Sequence, residues 1–220
     1  MWTVAPSKIA PGHRAAVAIS QVDATQRHLG IAYRPDARTA PRLLHLAWHR
    51  DLRDDENVTD NYKCVLFADV PLALHPTIVA QCKRTAEADL RGGLPYGFGY
   101  TPTAIKRDSE SGCLVIDGPS GLTCATFVLA ILGLAGIDLV AIDTWQDRPD
   151  DEAWKNKIIE RLKPYATVAH IEAVQRDRRH VRIRPEDVAG GATGSPLPTA
   201  FTTASVRGME ILDELSSGSG

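Results

Sequence analysis

Cys124 stands where an irregular segment, DGPSG, gives way to an apolar run, LTCATFVLAILGLAGI. That change predicts a buried helix opening near Cys124, with Ser120 or Thr123 as its cap and Gly133 or Gly136 at its end. A cysteine in the first turn of a helix is placed for chemistry. The free N–H groups and the positive end of the helix dipole favour a thiolate. The same groups can hold an oxyanion formed when sulfur attacks a carbonyl. The position alone is equally that of a small apolar packing residue. A nucleophile also needs a base histidine and a polar group to orient it. His28 (RHLGIAYR) and His45 (RLLHLAW) are the candidates for these two roles, and His49, four residues on from His45, is a rival orienter.

The remaining chemistry-bearing residues read more plainly. His45 and His49 have the spacing of a helical metal pair, but HLAWH lacks the glutamate of HExxH. Neither a metal nor a cofactor is expected. His75 precedes a helix and reads as a surface residue, while His13, His170 and His180 lie in polar settings. The cysteines at 64, 82, 113 and 124 form no CxxC pair, so free thiols are expected rather than disulfides. Ser120 in GPSG is not a GxSxG elbow. GGLPYGFGY lacks the GK[ST] of a phosphate loop and reads as a connector or as the aromatic wall of a groove. RDRRHVRIR, residues 176–184, reads as a solvated strand edge.

The 220 residues suffice for one well-formed core. A single catalytic domain over 1–215 is expected, with 216–220 as a flexible tail. A net charge of −2 gives no reason to expect nucleic acid as a partner. Pro6 and Pro11 interrupt the N-terminal segment, which lacks the apolar stretch of a secretory signal. The run from Ala125 to Ile137 is too short to span a bilayer. A cytoplasmic protein without a membrane span is expected.

The patterning predicts strands at Ala15–Val22, His28–Arg34, Leu43–His49 and Tyr62–Val70, with the second and third forming a hairpin. DLRDDENVTD reads as an acidic loop. Pro76–Arg91 is an amphipathic helix that buries Cys82. Thr103–Arg107 and Cys113–Asp117 form a hairpin around DSESG. Short strands follow at Ile137–Ile142 and His180–Arg184, with helices at Asp150–Leu162 and Val206–Leu215 and a Gly-rich loop before the last of them. These elements make an α+β fold, an antiparallel sheet packed against the helix that begins at Cys124.

HLGIAYR, RLLHLA and Cys124-Ala125-Thr126-Phe127-Val128, in that order, resemble the permuted branch of the NlpC/P60-like, papain-like cysteine hydrolases. In that family a His-Val-Gly-Ile strand carries the base, the next strand supplies the orienting residue, and the cysteine opens a helix. The order His, His, Cys resembles a circular permutation. Thr-Cys-Ala-Thr replaces the Asp-Cys-Ser-Gly of unpermuted members.

The resemblance implies a circularly permuted papain-like fold with Cys124 as nucleophile, His28 as base and acid, and His45 as orienter. It implies a cysteine peptidase or amidase that cleaves an amide, peptide or isopeptide bond through a thioester. The alternatives are a lipid acyltransferase or thioesterase of related fold, or a binding module without catalysis.

Overall fold

The structure is a computed structural model that describes residues 1–36, 38–90, 92–116, 121–177 and 181–217. In chain order the strands of the main sheet are β1 (Thr3–Val4), β2 (Ala15–Gln21), β3 (Arg27–Tyr33), β4 (Arg42–Trp48), β5 (Asp51–Asp55) and β6 (Tyr62–Val65). They are followed by α1 (His75–Asp89), a small hairpin of β7 (Ile105–Arg107) and β8 (Leu114–Ile116), and α2 (Cys124–Leu134). The chain finishes with α3 (Asp151–Leu162), α4 (Val168–Arg176), α5 (Pro185–Ala192) and α6 (Phe201–Ser217). The main sheet runs β1-β6-β2-β3-β4-β5, and every pairing is antiparallel.

The sheet has two unlike faces. Val17, Ile19, Leu29, Ile31, Tyr33, Leu44 and Leu46 alternate onto the face that joins the large core with α1, α2 and α5. Ala16, Ala18, Ala32, Leu43 and Cys64 alternate onto the other, covered by Ile9 and Val58. α2 lies on β3 and β4 and also touches α1 and α5. Enclosed on several sides, it needs no polar stripe, and every residue from Cys124 to Leu132 is buried.

The α+β class, the β3–β4 hairpin and the buried helix at Cys124 agree with the sequence reading, and Cys82 is fully buried on α1. Several elements differ. The acidic segment is not a loop. The turn at His49-Arg50 is only two residues long, Trp48 pairs with Asp51, and DLRDD continues as β5. Arg50 takes the left-handed conformation this turn requires, with φ at 56°. His49 therefore leaves the strand face it was expected to share with His45.

Residues 181–184 are not a strand, and α5 occupies the expected Gly-rich loop. Gly190 lies against the backbone of Ala204 on α6, so its missing side chain serves helix contact rather than flexibility. Residues 168–176 form α4, and α6 begins at Phe201 instead of Val206. Tyr62–Val70 is a strand only to Val65. Instead of a strand at Ile137–Ile142 there is a single bridge, Val140 to Thr199. His75 is wholly buried, where its Nδ1 accepts the N–H groups of Arg14 and Ala15 at 3.2 Å each. Among the described residues no helix is long and apolar enough to cross a membrane. Ser120, a candidate helix cap, and His180, the expected start of a strand, lie outside the described residues.

Candidate functional site

Thr123 and Thr126 fix the start of α2 by capping each other. The Thr123 N–H donates to Thr126 Oγ1 at 2.8 Å, and the Thr126 N–H donates to Thr123 Oγ1 at 3.2 Å. Cys124 follows the cap as the first residue of the helix. The nearby backbone N–H groups of Leu29, Ala125 and Cys124 itself favour the thiolate. Burial outweighs them. It pushes the thiol up to about 11, and the nearby Glu186 carboxylate adds to the rise. The helix start does what the sequence predicts of it, but a thiol below the usual range of about 8.5 is not the outcome.

His28 and His45 are brought together. His28 Nε2 lies 2.7 Å from His45 Nδ1, and His45 Nε2 lies 3.0 Å from Asp55 Oδ2. This chain of contacts assigns the protons. An ionised carboxylate only accepts, so His45 carries its hydrogen on Nε2 and presents a bare Nδ1. His28 must then donate from Nε2, which leaves its Nδ1 as a free base. Asp55 thus sets the tautomer of a ring it does not touch. Burial, followed by the positive charges of His45 and Arg53, brings His28 down to about 3. Burial also lowers His45, against the pull of Asp55. Both rings are neutral at pH 7.

Gly30 permits this approach. A Cβ at Gly30 would stand 2.8 Å from the His45 Cβ and 2.9 Å from the Leu44 carbonyl oxygen. The glycine of HLGI is a close-packing position between β3 and β4, not a hinge. Tyr62 closes the other side, its ring edge-on to both imidazoles at centroid distances of 6.3 and 6.4 Å.

Alternation directs His28 to the sheet face away from α2, and the two sides meet at a cavity of about 620 Å³ that both Cys124 and His28 border. Leu29, whose backbone N–H acts on the thiol, is the residue after His28. Trp48, Tyr96, Trp154 and Tyr165 wall the cavity. Tyr96 belongs to GGLPYGFGY, so that loop supplies part of the wall. Arg182 and Arg184 bind Asp150 and Asp151 and thereby tie the cavity's 182–186 wall to the start of α3. The described part of the expected basic edge is thus ion-paired rather than merely solvated.

His49 is not part of this group. Its Nδ1 accepts the Tyr96 N–H at 3.2 Å, and its ring meets that of His170 at a tilt of 53° with centroids 4.6 Å apart. Burial, then the charges of His170 and Arg50, brings it down to about 4. Asp55 escaped the sequence reading, because only a strand at 51–55 brings it beside His45. Trp48, Trp154 and Tyr165, the cavity aromatics outside GGLPYGFGY, escaped it as well.

Among the described residues, no group of three or more His, Cys, Asp or Glu is arranged to hold a metal ion. Comparisons of the chain with protein-family models, curated proteins and solved structures find no significant match.

Proposed function

We propose that the protein is a cysteine hydrolase of circularly permuted papain-like type that cleaves an amide, peptide or isopeptide bond through a thioester. The observation that carries this reading is the Asp55–His45–His28 hydrogen-bond chain, which leaves His28 Nδ1 unprotonated on a residue that borders the same cavity as Cys124. A histidine used only for packing has no need of a second histidine and a carboxylate to order its protons.

The site is neutral at rest, so the proton moves when the substrate arrives. Sγ bonds to the substrate carbonyl carbon while its proton passes to His28 Nδ1. The N–H groups at the start of α2 face the oxygen that becomes negative. As the tetrahedral species collapses, the C–N bond breaks and His28 gives the proton to the departing amine. Water then attacks the thioester and yields a proton to His28. The acid is released, and Sγ recovers the proton. If an alcohol or amine replaced water in this last step, the protein would be an acyltransferase. The apolar cavity walls accommodate that variant.

An activated acyl ester offered to the folded protein tests the reading. One acyl group should appear on Cys124 by mass spectrometry and then turn over, and Cys124→Ala should abolish both. A protein that binds the ester reversibly and never acquires the acyl group would be a binding module.

A further inference from the structure

The cavity wall carries Arg27, Arg161, Arg182 and Glu186. Arg182 is engaged. It stacks over Trp154 at 4.0 Å and lies 3.5 Å from Asp150 and 3.4 Å from Asp151. Among the described residues Arg27 and Arg161 are bound only to neutral oxygens. Arg27 Nη1 donates to the Asp23 carbonyl at 3.2 Å, and Arg161 Nη1 donates to Gln26 Oε1 at 3.1 Å. The Nε of Arg27 is buried and has no hydrogen-bond partner among the described residues. Asp23 turns its carboxylate onto the N–H groups of Thr25 and Gln26 within its own turn. Among the described residues no carboxylate lies within ion-pairing distance of either guanidinium. Gln26 precedes Arg27, holds Arg161 and itself borders the cavity, so the two cations share one rim.

We propose that the Arg27–Arg161 rim binds a carboxylate of the substrate, which makes the substrate a small amide bearing a carboxylate, such as an N-acyl amino acid or a short peptide. The proposal rests on the reading of Cys124 as the nucleophile. A cavity of about 620 Å³ suits a small molecule rather than a protein strand, and its aromatic walls take an apolar side chain. Two guanidiniums with unused donors offer a carboxylate the charge-assisted bonds it prefers. Glu186, near the thiol, repels the same group. Together the two ends orient the substrate with its carboxylate at the rim and its amide at Cys124.

The test uses two small alkylating reagents of the same reactivity class and different charge. Iodoacetate is an anion and iodoacetamide is neutral, and both modify Cys124 without any turnover. The rate ratio of iodoacetate to iodoacetamide at Cys124 should exceed one. It should fall about fivefold or more in Arg27→Gln and in Arg161→Gln, and it should also fall in 0.5 M salt. Arg161 is exposed, so its variant keeps the fold. A ratio below one that neither substitution changes would overturn the proposal. So would a Cys124 that neither reagent reaches in the folded protein, since the rim would then lead to no reacting group. An anion preference that persists in a protein without hydrolytic turnover would reject the hydrolase and leave the carboxylate rim standing.

Discussion

At the scale of single residues, proton order distinguishes this site from a chance cluster. His45 holds His28 directly and Asp55 acts through His45, so substitutions should grade in that order. His28→Ala removes the proposed base and should cause the largest loss of turnover. His45→Ala frees the second His28 nitrogen and should come next. Asp55 is half exposed, so water partly replaces it. Asp55→Ala should therefore cost about tenfold in kcat with little change in KM, well short of what a buried orienting carboxylate commands. A loss in His49→Ala equal to that in His45→Ala would contradict the assignment.

The titration behaviour follows from the same neutral pair. His28 protonates near 3, His45 below its ordinary value of about 6.5 and Cys124 near 11, so kcat/KM should be flat from neutral pH into the mildly alkaline range. Stability should not be flat. His28 in the folded state binds its proton well below the unfolded value of about 6.5, so the unfolded chain holds more protons between those limits. Stability contributed by the neutral ring is complete above about 6.5 and is lost as pH falls toward 3. Denaturant midpoints measured at pH 7 and pH 4.5 should differ, and His28→Gln should shrink the difference.

At the scale of elements, the site depends on how closely β3 and β4 run. Gly30→Ala places a methyl group against His45 and the Leu44 carbonyl. Relief requires a shift of β4, costing about 1–3 kcal/mol of stability. The displacement of His45 should lower turnover by up to about 10²-fold. A Gly30→Ala protein of unchanged melting temperature and turnover would show that the approach is not needed. The helix at Cys124 and the two histidine strands were legible because each has strong local patterning, an apolar run after a cap or an alternating strand. β5 was not legible. Its turn, His49-Arg50, carries no Gly or Asn, and four of its five residues are charged. α5 was hidden by Gly190 and Gly191, which signal a loop in sequence but in the fold admit neighbouring segments at close range. Arg148 and Asp187 show the same limit. They meet across 39 residues at 2.7 Å, and no local pattern announces the pair.

At the scale of the whole molecule, the cavity forms where the end of the sheet, the start of α2, α3 and the 182–186 segment converge. No single segment encodes it, and of its walls the sequence pointed only to the GGLPYGFGY loop that carries Tyr96. The four cysteines sit in unlike places, and this allows a direct test that requires no knowledge of the substrate. Cys64 and Cys82 are fully buried with thiols raised by burial, Cys113 is half-buried, and Cys124 borders the cavity. The decisive measurement is the iodoacetamide rate at each cysteine of the folded protein from pH 6 to pH 10, with the modified site located by mass spectrometry. Cys124 should react faster than Cys64 and Cys82 throughout. Its rate at pH 7 should fall in His28→Ala, and the deficit should narrow toward pH 10 as the thiol ionises without help. Labelling confined to Cys113, with Cys124 silent until the protein unfolds, would contradict the claim that Cys124 is the nucleophile.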